Sequence, residues 1–382
     1  MRSLFLFCFI FHVTAFAPLP TFAEELPYQF SKSEAFVTKQ LQELRKLSKI
    51  QESTFSKSNI NRVKTILKKY GWPTFKSSGV EGINLAGNLI RKCDKDPSFQ
   101  EQIIELVADR IDEDINAEGF VRWNDEIQSK IKGNQEYSSL LKVVDKKVVL
   151  ASPQASPSTL LFIRDFYGLP TAEENIAKVQ KHIDSGLSIE QANPVPPLGK
   201  EFYGYALSDI RMQLGRMLAK DQKLRNEITA SPNFSNEQKE KELEQIDQLN
   251  LVGLRKIIDT YGFPTPNQIG RDGVSTLFLL VQHADSDPAF QRKILSMMEP
   301  LVQTREVPKY QFAYLTDRVL RNEGKNQVYG TQTHVVDNKI VLFPVDDPSN
   351  LNERRKKMSL SNIERYVERL QKDLDEANKS TK

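Results

Sequence analysis

The chain writes one pattern twice. "YGWPT" at Tyr70–Thr74 recurs as "YGFPT" at Tyr261–Thr265, an offset of 191 (261 minus 70) that also carries Gly79 to Gly270, Asp94 to Asp285, Asp96-Pro97 to Asp287-Pro288 and Phe99-Gln100 to Phe290-Gln291. One inserted residue later the offset becomes 192, carrying Asp125 to Asp317, "NQEY" from Asn134 onto "NQVY" from Asn326, and "VVDKKVVL" from Val143 onto "VVDNKIVL" from Val335. Chance does not hold register over that distance, so the chain must fold as one kind of domain built twice. Its 382 residues supply two cores of ordinary size.

Each copy predicts the same elements. A helix ends in "VKTILKKYG" or "LRKIIDTYG", with Gly71 or Gly262 as a left-handed cap and Pro73 or Pro264 as the stop. A second helix follows; in the later copy "VSTLFLLVQH" is apolar nearly all round, as a bundle's central helix should be. A third begins where Asp96 or Asp287 caps and Pro97 or Pro288 takes the first turn. The fourth, "YQFAYLTDRVLRNEG", ends at Gly324, and "QVYGTQTHVV" then turns through Asp337-Asn338 into "KIVLFPV" as a β-hairpin, with Gly330 marking a bulge or close approach. A capped helix closes each copy, with capping boxes at Thr171/Glu174 and Ser361/Glu364. The fold class expected is mainly α (α+β): two tandem helical-bundle-like domains, each with a small antiparallel β-hairpin near its C-terminal end.

At the N-terminus, Arg2 and the apolar run "LFLFCFIFHVTAFA" precede Thr21-Phe22-Ala23, the pattern of a secretory signal peptide cleaved near Ala23, before Glu24. The run is too short to span a bilayer, and no later segment reaches that length, so no stable membrane insertion is expected after cleavage. The mature protein is expected to be exported, either periplasmic or extracellular. The domains expected are residues 1–23 as signal peptide, 24–194 as a diverged N-terminal repeat domain, 195–200 as a Pro-rich linker, 201–375 as the C-terminal repeat domain and 376–382 as a disordered tail. Fifty-three basic and 50 acidic residues leave +3, without the basic field that nucleic acid requires. Cys93 is the one thiol after signal removal, excluding an intramolecular disulfide or a multi-Cys metal site; it reads as a small buried hydrophobe.

The second copy resembles a bacterial family known as domain of unknown function 6624. The resemblance rests on "DQKLR" at Asp221–Arg225, "YGFPT", "QHADSDPAFQ" and "YLTDRVLRNEGKNQVYGTQ", in that order, over about residues 205–345. The first copy, over residues 34–190, looks like a diverged version that keeps "YGWPT" and "DPSFQ" and lacks most of the polar signature. What the resemblance implies is a helical domain of uncharacterised activity, often exported.

Comparing the copies sorts positions by role. Residues kept in both answer to the shared fold; polar groups present only in the second are site candidates. His283 faces Lys92, Arg318 faces Glu126, and Gly330-Thr331-Gln332 face Ser138-Ser139-Leu140. His283, Asp317 and Arg318 are the catalytic candidates: an imidazole that titrates near neutrality, a carboxylate to orient it and a guanidinium to fork onto an anion. Gln332, Thr331, Asp221 and Arg225 are the ligand-binding candidates. Two alternatives stand beside this: Asp317 with Arg321, and Asp221 with Arg225, are four apart and can simply pair along a helix. His-x-Asp-x-Asp at His283–Asp287 lacks the further ligands that would identify a metal, so no metal and no cofactor is assigned. The partner is an unknown ligand or protein. The leading reading is a ligand-binding or enzymatic pocket around His283, Asp317, Arg318 and Gln332; the alternative is a non-catalytic structural or interaction protein.

Overall fold

In the computed structural model, which describes residues 28–31, 37–154, 164–230 and 235–380, both expected repeats are mainly helical with one small hairpin each. The segment expected as a signal peptide lies outside the described residues. Among the described residues no helix is long and apolar enough to cross a membrane. Contacts divide the chain into two units: described residues up to Arg164 with Leu169–Gly204, and Asp165–Gly168 with the chain from Tyr205 onward.

The first unit contains α1 (Val37–Ser48), α2 (Lys57–Tyr70), α3 (Phe75–Arg91), α4 (Pro97–Ala108), α5 (Ala117–Lys132), β1 (Leu141–Val144), β2 (Lys147–Leu150), α6 (Ala172–Asp184) and α7 (Ile189–Ala192). Its core includes Phe55, Trp72, Phe99, Phe120 and Trp123, all at most 2% exposed, and the Trp123 indole N–H donates to Gly87 O at 3.0 Å. Leu198 is buried against Gly87, and Gly119 backs onto the Pro197 carbonyl so closely that a Cβ there would lie 2.0 Å from it. The segment expected as linker is therefore packed into this unit, because Gly119 admits its backbone and Gly87 the Leu198 side chain.

The second unit contains α8 (Ser208–Ala230), α9 (Asn236–Tyr261), α10 (Pro266–Gln282), α11 (Pro288–Gln303), α12 (Lys309–Asn322), β3 (Thr333–Val336), β4 (Lys339–Leu342), α13 (Leu351–Lys357) and α14 (Ile363–Ser380). α10 is buried along most of its length, as its all-round apolarity requires, and it packs against α8, α9, α11 and α12. α14 continues across residues 376–380, which the sequence reading gave to a tail.

The repeat offset is visible in the hydrogen bonds. Asp96 and Asp287 accept from Phe99 N and Phe290 N at 3.2 and 3.0 Å, capping α4 and α11. Gln180 and Gln371 clasp the two hairpins through Val148 N and Ile340 N. Both hairpins turn with two positive-φ residues, Asp145-Lys146 and Asp337-Asn338, the I′ geometry that matches strand twist.

Four local expectations change. Gly71 and Gly262 have positive φ but extended ψ (175° and −156°), a region open to glycine alone, rather than a left-handed cap. A Cβ on Gly71 would lie 2.6 Å from Ser31 N, so the close approach of residues 28–31 requires glycine as well. Gly330 precedes the strand at φ 65° instead of bulging within it. Thr171/Glu174 does form a capping box, but in place of Ser361/Glu364 the start of α14 is held by Asn352, whose Oδ1 accepts from Ile363 N and whose Nδ2 donates to Glu364.

Candidate functional site

The buried stripe of α8 runs through Leu214, Asp221, Arg225 and Ile228, so two charged residues occupy positions where helix periodicity calls for apolar ones. α9 does the same with half-buried Asp247 and buried Asn250 ahead of Leu251 and Leu254. The corresponding helix of the first unit is shorter: Ser56, the counterpart of Asp247 at the offset of 191, caps the start of α2. Extending α9 beyond that point places Asp247 mid-helix beside α8. The polar stretch ahead of "YGFPT", whose charges alone would suit a solvated face, thus has a buried ionic interior.

At its centre Arg225 forks onto Asp221, Nε to Oδ2 and Nη2 to Oδ1, both at 3.0 Å, and Nη2 also reaches Asp247 Oδ1. The helical pairing of Asp221 with Arg225 weighed in the sequence is present, and it serves a larger arrangement. His283, at the end of α10, directs Nδ1 to Asp221 at 3.3 Å. Gln222 and Asn250 add further donors to the same carboxylate, at 2.9 and 3.5 Å. His283 Nε2 has no partner among the described residues, and the side chain is 12% exposed.

A second network lies two residues on. Asp285 receives Arg318 Nε at 2.8 Å and Nη2 at 2.5 Å, together with Arg321, Asn322 and Gln291. Arg318 Nη1 donates to Gln332 Oε1 at 3.3 Å. The side-on fork of Arg318 is therefore committed to Asp285, not open to an anion as the sequence reading had it. Two of the five guanidinium N–H groups remain without an acceptor among the described residues. In the first unit Asp94 is exposed, and Glu126, standing in place of Arg318, takes Arg91 and Arg122 instead.

Asp317 is not brought to His283. It is fully buried and accepts from Val328 N, Tyr329 N, Thr331 N and the Thr331 hydroxyl at 2.7, 3.0, 2.9 and 2.8 Å. Asp125 does the same for Glu136 N, Tyr137 N, Ser139 N and the Ser139 hydroxyl. The role assigned to Asp317, orienting the imidazole, belongs by geometry to Asp221. Thr331 is likewise consumed by the loop, whereas Gln332 joins loop and site: its backbone N–H donates to Gln327 and its side chain meets Arg318. His334, on β3, packs on Phe343 with ring centroids 4.6 Å apart.

Electrostatics separate these groups. Burial disfavours the Asp221 anion, but the His283 hydrogen bond and the Arg225 cation outweigh it and hold the carboxyl at about 2. Burial, with the neighbouring Asp221 and Asp285 charges, pushes Asp247 up to about 7 against the opposing pull of Arg225. Asp285 lies well below the ordinary carboxylate range because Arg318 and its other donors overcome burial. Burial, assisted by the Arg225 and Arg318 cations, lowers His283 below its usual value against the pull of Asp221 and so favours the neutral ring. With Nδ1–H donated to Asp221, the lone pair lies on Nε2.

Asp221, Asp247 and His283 also bring one potential metal-ligand atom each within 4.8 Å of one another. Arg225 contacts both carboxylates, and Asp221 receives five hydrogen bonds, two from Arg225 and one each from Gln222, Asn250 and His283, so this geometry already carries its countercharge.

No curated protein and no solved structure matches the chain. A family model, Family of unknown function (DUF6624), matches residues 208–377, which include every residue of the two networks and leave the first unit unmatched. The second unit thus carries a domain of Family of unknown function DUF6624.

Proposed function

We propose that the second unit is an acid–base site in which His283 Nε2 takes a proton from a bound water or hydroxyl, with Asp221 fixing the tautomer and stabilising the imidazolium that forms. The observation that carries this reading is the division of the ring: Nδ1 faces a carboxylate clamped by Arg225, while Nε2 has no partner among the described residues. Arg318, Gln332 and Asp285 line the neighbouring position. The first unit, with Lys92 bonded to the Ser48 and Ile50 carbonyls in place of His283, has no such base and serves as scaffold.

The test combines stability with ring chemistry. His283→Ala is expected to leave the melting temperature unchanged or raised, as a residue kept for function does, whereas Arg318→Met strips Asp285 of its fork and is expected to lower it. Nitrogen-15 NMR of the imidazole is expected to show the Nδ1–H tautomer, lost in Asp221→Asn. A marked stability loss in His283→Ala, or an Nε2–H tautomer, would return the polar residues to a purely structural, interaction-protein role.

The closeness of Asp221, Asp247 and His283 favours one second reading, a divalent cation that displaces Arg225. Metal analysis of the purified protein and a thermal-shift titration with zinc and manganese distinguish the two. We further propose that the chain is exported after cleavage near Ala23, which N-terminal sequencing of the mature protein checks.

A further inference from the structure

We infer that the donors beside His283 bind an oxyanion, a carboxylate or phosphoryl group of the ligand, and so fix the reacting atom in front of Nε2. This rests on the acid–base reading and adds the chemistry of what is bound.

The two units, compared position by position, carry the argument. In the first, Glu126 lies between Arg91 Nε at 2.5 Å and Arg122 Nε at 3.1 Å, so the cations and their carboxylate are all supplied by the protein. The offsets place Gln282, Tyr314 and Arg318 at the positions of Arg91, Arg122 and Glu126. The second unit therefore has donors where the first has a closed ion-pair cluster. Asp285 takes part of Arg318, but two guanidinium N–H groups are left over, and the residue is 13% exposed. Gln282, next to His283 and only 8% exposed, has a buried Nε2 without any acceptor. A buried amide donor left unmade is costly, and a charge-assisted acceptor from a ligand removes that cost. The first unit sets two arginines against Glu126, while the second gathers three (Arg225, Arg318, Arg321) around His283. Their partners there are Asp221, Asp285 and Asp247, the last of which holds its proton more readily than an ordinary carboxyl when an anion arrives.

Isothermal titration calorimetry of the full chain with inorganic phosphate and with succinate, at constant ionic strength set by sodium chloride, tests the inference. Saturable binding is expected for at least one anion, weakened about tenfold or more in Arg318→Met by loss of a charged hydrogen bond. Gln282→Leu keeps the Arg318–Asp285 pair and is expected to weaken binding without lowering the melting temperature. Glu126→Gln, in the first unit, is expected to leave anion binding by the second unit unchanged. Phosphate alone binding identifies a phosphoryl ligand, succinate alone a carboxylate, and both an oxyanion site shared by the two. Absence of saturable heat with both anions, or wild-type affinity in both Arg318→Met and Gln282→Leu, overturns the inference. His283→Ala is expected to retain anion binding, so a failed imidazole NMR test with intact binding removes only the acid–base reading.

Discussion

Replacing Asp317 by Ala separates a structural carboxylate from a reactive one. The substitution leaves three backbone N–H groups and the Thr331 hydroxyl without their acceptor in a fully buried position. A buried donor left unmade costs about 1–3 kcal/mol. The loop can admit water, so the low end applies to each, and four donors together cost about 4 kcal/mol. For a unit of this size each kcal/mol lowers the melting temperature by about 2–4 °C, giving a drop of about 8–16 °C. Asp125→Ala removes the same four bonds from the first unit and is expected to cost about as much. Differential scanning calorimetry of wild type and both variants is the assay, with His283→Ala as the comparison. A shift below about 3 °C for Asp317→Ala would refute the assignment, since it would mean the loop holds its shape without the carboxylate.

Acid sensitivity should show two stages with a known sign. His283 lies below its usual range and Asp221 is held at about 2, so for both groups the folded form binds fewer protons than the unfolded chain. Stability is then expected to fall on acidification below about pH 6.5 and again from about pH 4 towards 2, measured by urea unfolding against pH. Asp247, pushed up to about 7, has the opposite sign: its penalty grows as pH rises from about 4 to 7. Asp247→Asn is therefore expected to stabilise the protein at pH 8 and to be neutral at pH 3; equal effects at both would remove the electrostatic account. Burial pushes the Cys93 thiol up to about 12, and its S–H points to Leu89 O, so a thiol reagent should label it only after unfolding. Native-state labelling at the rate of a free thiol would contradict that burial.

Much of the local structure was legible because its causes are local. Asp96-Pro97 and Asp287-Pro288 start helices through a side-chain cap and a ring that needs no N–H donor, and Asp145-Lys146 and Asp337-Asn338 turn hairpins through positive φ. His283 stood out because the first copy has Lys92 at its place. Its partner did not: Asp317 looked suitable only while its own four donors, contributed by a loop 11–14 residues on, were unseen. A sign of Asp221, Arg225 and Asp247 was available, since they interrupt the apolar stripes of α8 and α9, but charge alone reads as solvated surface. Only packing of those helices together turns the stripe inward and forces each charge to find a partner.

By itself, the sequence determined that one helical domain with a hairpin is written twice and that the polar signature belongs to the second copy, because periodicity, capping and turn chemistry act over a few residues. The tertiary structure decided which carboxylate meets which cation. Asp221 and His283 lie 62 positions apart, and Asp285 and Arg318 lie 33 apart. Desolvation and hydrogen bonding across such separations exist only once the chain has folded, and they set which groups stay charged and which ring nitrogen of His283 meets a carboxylate.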